Sequence, residues 1–139
     1  MFKLSEKSKE RLEGVDPRII EIVDLALAIT HIDFGIPGDG GIRTAERQLE
    51  LYEKGVSKCD GYEVKSYHQT GLAFDVYAYV DGKASWNRNH LTNVAVAILQ
   101  AASQLGYKLE WGGLWNLFVD MPHFQLKKDK SWDGSVQIK

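Results

Sequence analysis

The residues best suited to chemistry are His68 and Asp75, in Ser66-Tyr67-His68-Gln69-Thr70-Gly71-Leu72-Ala73-Phe74-Asp75, and Asp120 and His123, in Asp120-Met121-Pro122-His123-Phe124. Together they offer two imidazoles and two carboxylates. Neutral imidazole nitrogen and carboxylate oxygen are good donors to Zn²⁺, and a catalytic zinc keeps three protein ligands and an open position for water. His68, Asp75 and His123 could fill those three places, leaving Asp120 to handle protons. Spacing alone does not decide this. His68 reads equally as a loop histidine, Asp75 as a strand-end or turn carboxylate, and His123 as a partly buried ring with a satisfied hydrogen bond. One feature favours the metal. Ala73-Phe74-Asp75-Val76-Tyr77-Ala78-Tyr79-Val80 reads as a strand rich in β-branched and aromatic residues. A charge inside such an apolar strand is costly unless it is paired or binds a metal.

These residues also resemble a known family. Ser66, His68, Gly71, Ala73 and Asp75 are similar to the signature of zinc peptidases that cleave peptidoglycan peptides, the D-alanyl-D-alanine carboxypeptidases and dipeptidases and the phage L-alanyl-D-glutamate endopeptidases. Glu110-Trp111-Gly112-Gly113-Leu114-Trp115 followed by Asp120 to Phe124 looks like the second half of that signature in the phage endolysin branch. Gly41-Ile42-Arg43-Thr44 resembles its upstream arginine element. The pieces occur in the family's order over roughly residues 35 to 126.

The resemblance implies a set of roles. His68, Asp75 and His123 would be the zinc ligands. Asp120 would be the catalytic carboxylate, which is Glu in other branches; the alternative is a turn residue before Met121-Pro122. Arg43 would meet a substrate carboxylate or a developing oxyanion. Its alternative is a surface arginine at a helix start, where a cation opposes the helix dipole. Ser66 and Gln48 read as substrate-side groups, or as plain loop and helix-surface residues. Tyr77 is expected to border the cleft, and Trp115 to line a groove or join the core. His31 and His90 match nothing in the signature.

Composition sets the frame. The chain has 139 residues, a net charge of −2, 44% hydrophobic and 26% charged residues. This is one domain's worth of chain, able to bury about two-thirds of its unfolded surface without disulfides. A nucleic-acid footprint would need a basic domain, so none is expected. The single cysteine, Cys59, excludes an internal disulfide; Cys59-Asp60-Gly61 reads as a polar turn, with a thiolate ligand as the alternative. No apolar h-region follows Met1, so no signal peptide is expected, and no apolar run is long enough for a membrane span.

The elements that must position the site follow in order. Residues 1 to 13 are a short amphipathic helix or a frayed arm. Asp16-Pro17 starts a buried helix over about 17–30. Ile32 to Ile36 is a short strand. Thr44 caps a helix over about 45–54, and 56–67 is an irregular loop with His68 on the rim of the site. Along the 73–80 strand, Ala73, Asp75, Tyr77 and Tyr79 share the face expected to line the cleft. Asp81-Gly82 is a hairpin signal. A long helix runs about 89–105 to Gly106, a strand spans 107–111, and short extended pieces flank Pro122. A loose polar tail is expected from about 127.

The expected fold is therefore α+β, a small antiparallel sheet carrying zinc and packed against two or three helices in a single domain. The implied activity is zinc-dependent hydrolysis of a bond in the peptidoglycan stem peptide by an L-alanyl-D-glutamate endopeptidase serving phage lysis. A monomer is expected, made in the host cytoplasm and reaching the wall through a holin. The alternatives are a D-alanyl-D-alanine carboxypeptidase or dipeptidase, and a non-catalytic zinc-binding wall module.

Overall fold

The computed structural model describes residues 1–127, so the expected tail lies almost wholly outside the described residues. The helices begin where the sequence places caps. Ser5 caps α1 (Glu6–Arg11), and Asp16 caps α2 (Pro17–Ile29) by accepting from the Arg18 N–H at 2.9 Å. Thr44 caps α3 (Ala45–Glu53), and Asn87 caps α4 (Arg88–Leu105). Gly106 ends α4 in the left-handed conformation that favours glycine. α2 and α4 pack against each other, burying Ile19, Ile22, Val23, Ala26, Leu91, Val94 and Ile98.

The strands form two three-stranded antiparallel sheets rather than one. β1 (Asp33–Gly35), β3 (Tyr77–Val80) and β4 (Lys83–Ser85) make the first, in the order β1-β3-β4. β2 (Ala73–Asp75), β6 (His123–Leu126) and β5 (Leu109–Trp111) make the second, in the order β2-β6-β5. The expected 73–80 strand is thus cut at Val76. The reason is Pro122. Val76 donates to the Pro122 carbonyl at 3.0 Å, but proline has no N–H to return, so the ladder with β6 stops and the chain moves to β1. Asp81 and Gly82 close the β3–β4 hairpin with φ of 53° and 76°, as a tight two-residue turn requires.

The second sheet has two unlike faces. Phe74, Phe124 and Trp111 stack along one, with ring centroids 5.3 Å apart for Phe74–Phe124 and 6.3 Å for Trp111–Phe124. Asp75, His123, Gln125 and Glu110 alternate onto the other. Phe74 and Phe124 are buried in the same core as α2 and α4.

One glycine ties the N-terminal helix to this arrangement. A Cβ at Gly41 would run into the Arg11 carbonyl oxygen, which is backbone and cannot swing away. Gly41→Ala is therefore expected to lower stability by about 1–3 kcal/mol, the range for overpacking. Gly38→Ala, where the added carbon meets nothing within 4 Å, should leave it unchanged. Urea midpoints of the two variants check this; equal midpoints would show that α1 yields freely.

Candidate metal centre

His68 sits in a 3₁₀ turn, Tyr67–Thr70, that follows the stretch 56–67 expected to be an irregular loop. Ser66 caps it, accepting from the His68 N–H at 3.2 Å, while Gln69 returns a bond to the Ser66 N–H at 2.9 Å. This reciprocal box turns His68 inward, so it is buried rather than on a rim. Asp75 ends β2 and His123 begins β6, and the ladder sets them directly opposite each other. Two distant stretches of sequence, 66–75 and 120–124, thus deliver three side chains to one point.

The hydrogen bonds behind the rings fix which nitrogen is bare. His68 Nδ1–H donates to the Gly41 carbonyl at 2.9 Å, leaving Nε2 as a lone pair. His123 Nε2–H donates to Gln125 Oε1 at 2.9 Å, leaving Nδ1 as a lone pair. These two nitrogens are 3.2 Å apart, and Asp75 Oδ1 lies 3.3 Å from His68 Nε2 and 3.1 Å from His123 Nδ1. Zinc bonds of about 2.0–2.1 Å at tetrahedral angles put ligand atoms about 3.3–3.4 Å apart. The triangle matches one face of that tetrahedron, and its atoms are lone-pair donors. His68, Asp75 and His123 can therefore hold a metal ion.

Arg43 takes the other oxygen of Asp75, with Nη2 to Oδ2 at 3.0 Å. Its Nε donates to the Asp39 carbonyl at 3.0 Å and its Nη1 to Gln48 Oε1 at 3.2 Å. The guanidinium thus leaves Oδ1 for the centre. With no ion bound, burial opposes ionisation of Asp75, but a proton carried on the facing rings, through the charge of His68 and the hydrogen bonds from His123 and His68, outweighs it and holds the carboxyl well below the usual range.

The centre opens into a cleft lined by Asp39, Arg43, Ser57, Ser66, Phe118 and Asp120, among others. Asp39 is held below the usual carboxylate range by its hydrogen bonds from Arg47. Gln48, Tyr77 and Trp115 do not line this cleft. Gln48 is fully buried behind Arg43, where its amide donates to Ser57 Oγ at 2.7 Å and the Cys59 carbonyl at 2.9 Å. Tyr77 left with the first sheet at Val76 and packs on Trp86, 6.1 Å between ring centroids. Trp115 is buried with its ring 5.3 Å from that of His123. Cys59 is buried away from the three ligands, and the His90 ring bonds Ser85 Oγ at 2.7 Å.

A family described as phage L-alanyl-D-glutamate peptidase matches residues 1–135. The chain belongs to this family. It is 33% identical to the L-alanyl-D-glutamate peptidase of Escherichia phage T5 over 138 residues, 99% of this chain and 98% of the relative. It is 32% identical to the peptidoglycan L-alanyl-D-glutamate endopeptidase CwlK of Bacillus subtilis over 97 residues, 62% of this chain and 57% of the relative. The crystal structure of the Serratia marcescens L-Ala D-Glu endopeptidase ChiX superposes with a TM-score of 0.79 at 36% identity, covering 90% of each chain. The resemblance carried by Arg43, His68, Asp75 and His123 is thereby borne out at the level of the family, as is the α+β class. Among the described residues no helix is long and apolar enough to cross a membrane.

The sequence reading missed Asp39, Phe118, the Gly41 carbonyl and Gln125. Only Gln125 carried a local signal, since residues two apart on a strand share a face. The lowered pKa of Asp75 gives a pH prediction. Folding favours its ionised form, so the unfolded chain binds more protons and stability rises with pH through the acid range. Metal-free protein should lose this contribution as pH falls below about 3.9, the unfolded value. Asp75→Asn should remove that part of the slope. Urea denaturation across the acid range checks it, and an unchanged slope would contradict the assignment to Asp75.

Proposed function

We propose that this protein is a zinc-dependent endopeptidase that hydrolyses the L-alanyl-D-glutamate bond of the peptidoglycan stem peptide. The observation that carries the reading is the convergence of His68 Nε2, Asp75 Oδ1 and His123 Nδ1 within 3.3 Å of one another beside a cleft that also holds Asp120. Two imidazole nitrogens and one carboxylate oxygen in tetrahedral spacing suit the borderline-soft Zn²⁺. When bound, the ion supplies Lewis acidity toward a peptide carbonyl and makes water more acidic.

The chain's own groups do the rest. Asp120 accepts the proton released as water attacks and returns it to the leaving amine of D-glutamate. Arg43 anchors Asp75 and turns its remaining N–H groups toward the cleft, where a substrate carboxylate or the carbonyl oxyanion meets them. Ser66 lines the same wall. The protein acts as a monomer, is made in the host cell and reaches the wall by holin-type release during lysis.

Two predictions test this. His68→Ala and His123→Ala should each abolish stoichiometric zinc, measured by elemental analysis, while His31→Ala and His90→Ala retain it; a full equivalent of zinc in the His68→Ala/His123→Ala double variant would remove the ligand assignment. Asp120→Asn should keep zinc and fold but lose about 10²–10⁴-fold in turnover. The assay is mass spectrometry of muropeptides from digested sacculi. Alanine should remain on the sugar side, with a new free D-glutamate amine on the stem. Release of D-alanine from a peptide ending in D-Ala-D-Ala, without that new amine, would instead indicate a carboxypeptidase.

A further inference from the structure

The sheet face that carries Asp75 and His123 does not end at the metal ligands. It continues to Gln125, two residues along β6, and to Glu110, directly opposite Gln125 on β5. Gln125 is fully buried. Its Oε1 accepts from His123 Nε2–H, while its Nε2 is buried with no hydrogen-bonding partner among the protein's described atoms. Oε1 of Glu110 is buried in the same condition. A donor and an acceptor, each needing a partner, thus belong to residues that face each other across one ladder, where opposed Cβ atoms lie about 4.5–5.5 Å apart. Buried polar groups of this kind are normally satisfied, often by an ordered water.

We propose that Glu110 is a positioning residue for His123, its carboxylate setting the orientation of the Gln125 amide across one bridging water. This rests on the zinc-site reading above. The logic is one of hydrogen-bond polarity. An amide presents oxygen on one side and NH₂ on the other, and nothing in its shape chooses between them. An ionised carboxylate only accepts, so Glu110 draws the NH₂ toward itself. That turns Oε1 to His123, which then carries its proton on Nε2 and leaves Nδ1 bare for the metal. With the amide reversed, its NH₂ would face Nε2 and the proton would move to Nδ1, pointing at the centre. Glu110 acts a second time through Trp115. The indole N–H donates to Glu110 Oε2 at 3.3 Å, and the Trp115 ring packs beside the His123 ring, 5.3 Å between centroids. Glu110 therefore holds both the hydrogen-bond partner and the aromatic wall of one ligand. Burial, and then the charge of Glu110, push the pKa of the Tyr67 hydroxyl up.

The test is a polarity swap in the full chain. Glu110→Gln should weaken zinc binding about tenfold in chelator competition, the low end of the range for outer-shell partners. In the zinc-loaded protein it should also speed exchange of the His123 Nε2–H proton seen by NMR. The double variant Glu110→Gln/Gln125→Glu places a carboxylate against His123 and an amide NH₂ behind it. It should restore both zinc affinity and the protected ring proton, because the polarity of the relay is rebuilt. Unchanged affinity and exchange in Glu110→Gln would overturn the proposal. Losses in the double variant equal to or beyond those of the single variants would overturn it as well, since a packing role gives no rescue. If Glu110→Gln fails to fold, recovery or loss in the double variant decides alone. A wild type that takes up no zinc overturns this inference and the functional reading together. A wild type that binds zinc but leaves sacculi intact overturns the functional reading only.

Discussion

Two imidazole nitrogens and a carboxylate oxygen within 3.3 Å of one another can share that space only with a proton or a metal cation among them. Most of the local structure can be understood as the means of holding that arrangement. A ladder register sets Asp75 against His123, a capped 3₁₀ turn swings His68 in, and two carbonyl oxygens, from Gly41 and Gln125, pin the outer ring nitrogens. Each pin removes a protonation choice that would otherwise compete with metal binding. Arg43 plays the matching part for the carboxylate by occupying Oδ2.

Such a cluster needs a rigid base, and the second sheet supplies it through the separation of its faces. The stacked rings of Phe74, Phe124 and Trp111 join the buried core and hold β2, β6 and β5 in place. The alternate residues of the same strands are then free of packing duty and carry Asp75, His123, Gln125 and Glu110. Strand periodicity thus puts the polar centre one residue away from the core everywhere along it. A one-residue slip of β6 would send His123 into the aromatic stack, so the apolar face also enforces the register of the metal ligands.

The parts legible in the sequence were those with local chemical causes. Asp16 and Thr44 cap helices because their side chains answer nearby N–H groups, and Asp81-Gly82 turns because both residues tolerate positive φ. His68, Asp75 and His123 were singled out as candidate metal ligands through family resemblance, since spacing left them open, and the structure brings them together. What stayed hidden depends on partners distant in sequence. The break at Val76 comes from Pro122, and with it went the expectation that Tyr77 would face the cleft. Gln48 read as a substrate-side group or a helix-surface residue, yet bonds to Arg43, Ser57 and Cys59 hold it inside. A backbone carbonyl such as that of Gly41 leaves no trace in residue identity at all.

The carboxylate at position 120 adds one more constraint. Aspartate is shorter by one methylene than the glutamate of other branches of the family, so its backbone must come closer to the centre for the same reach. The loop from Gly112 to Asp120 is closed by backbone hydrogen bonds and places Asp120 in the wall of the cleft. Asp120 N–H donates to the Gly112 carbonyl at 2.9 Å, and its own carbonyl accepts from the His123 N–H at 3.1 Å. A Cβ at Gly112 would strike the Asp120 carbonyl oxygen, so this closure demands glycine there. Asp120 is thereby tied by backbone on both sides, to the end of β5 and to the ligand His123 itself. In the proposed mechanism a short side chain on a fixed backbone would have few rotamers to lose on meeting the transferring proton, whereas a longer one on a looser loop would have to be ordered at that moment. If Asp120 is the proton carrier, as proposed above, its reach is set by the main chain, and Gly112 is the residue that permits it.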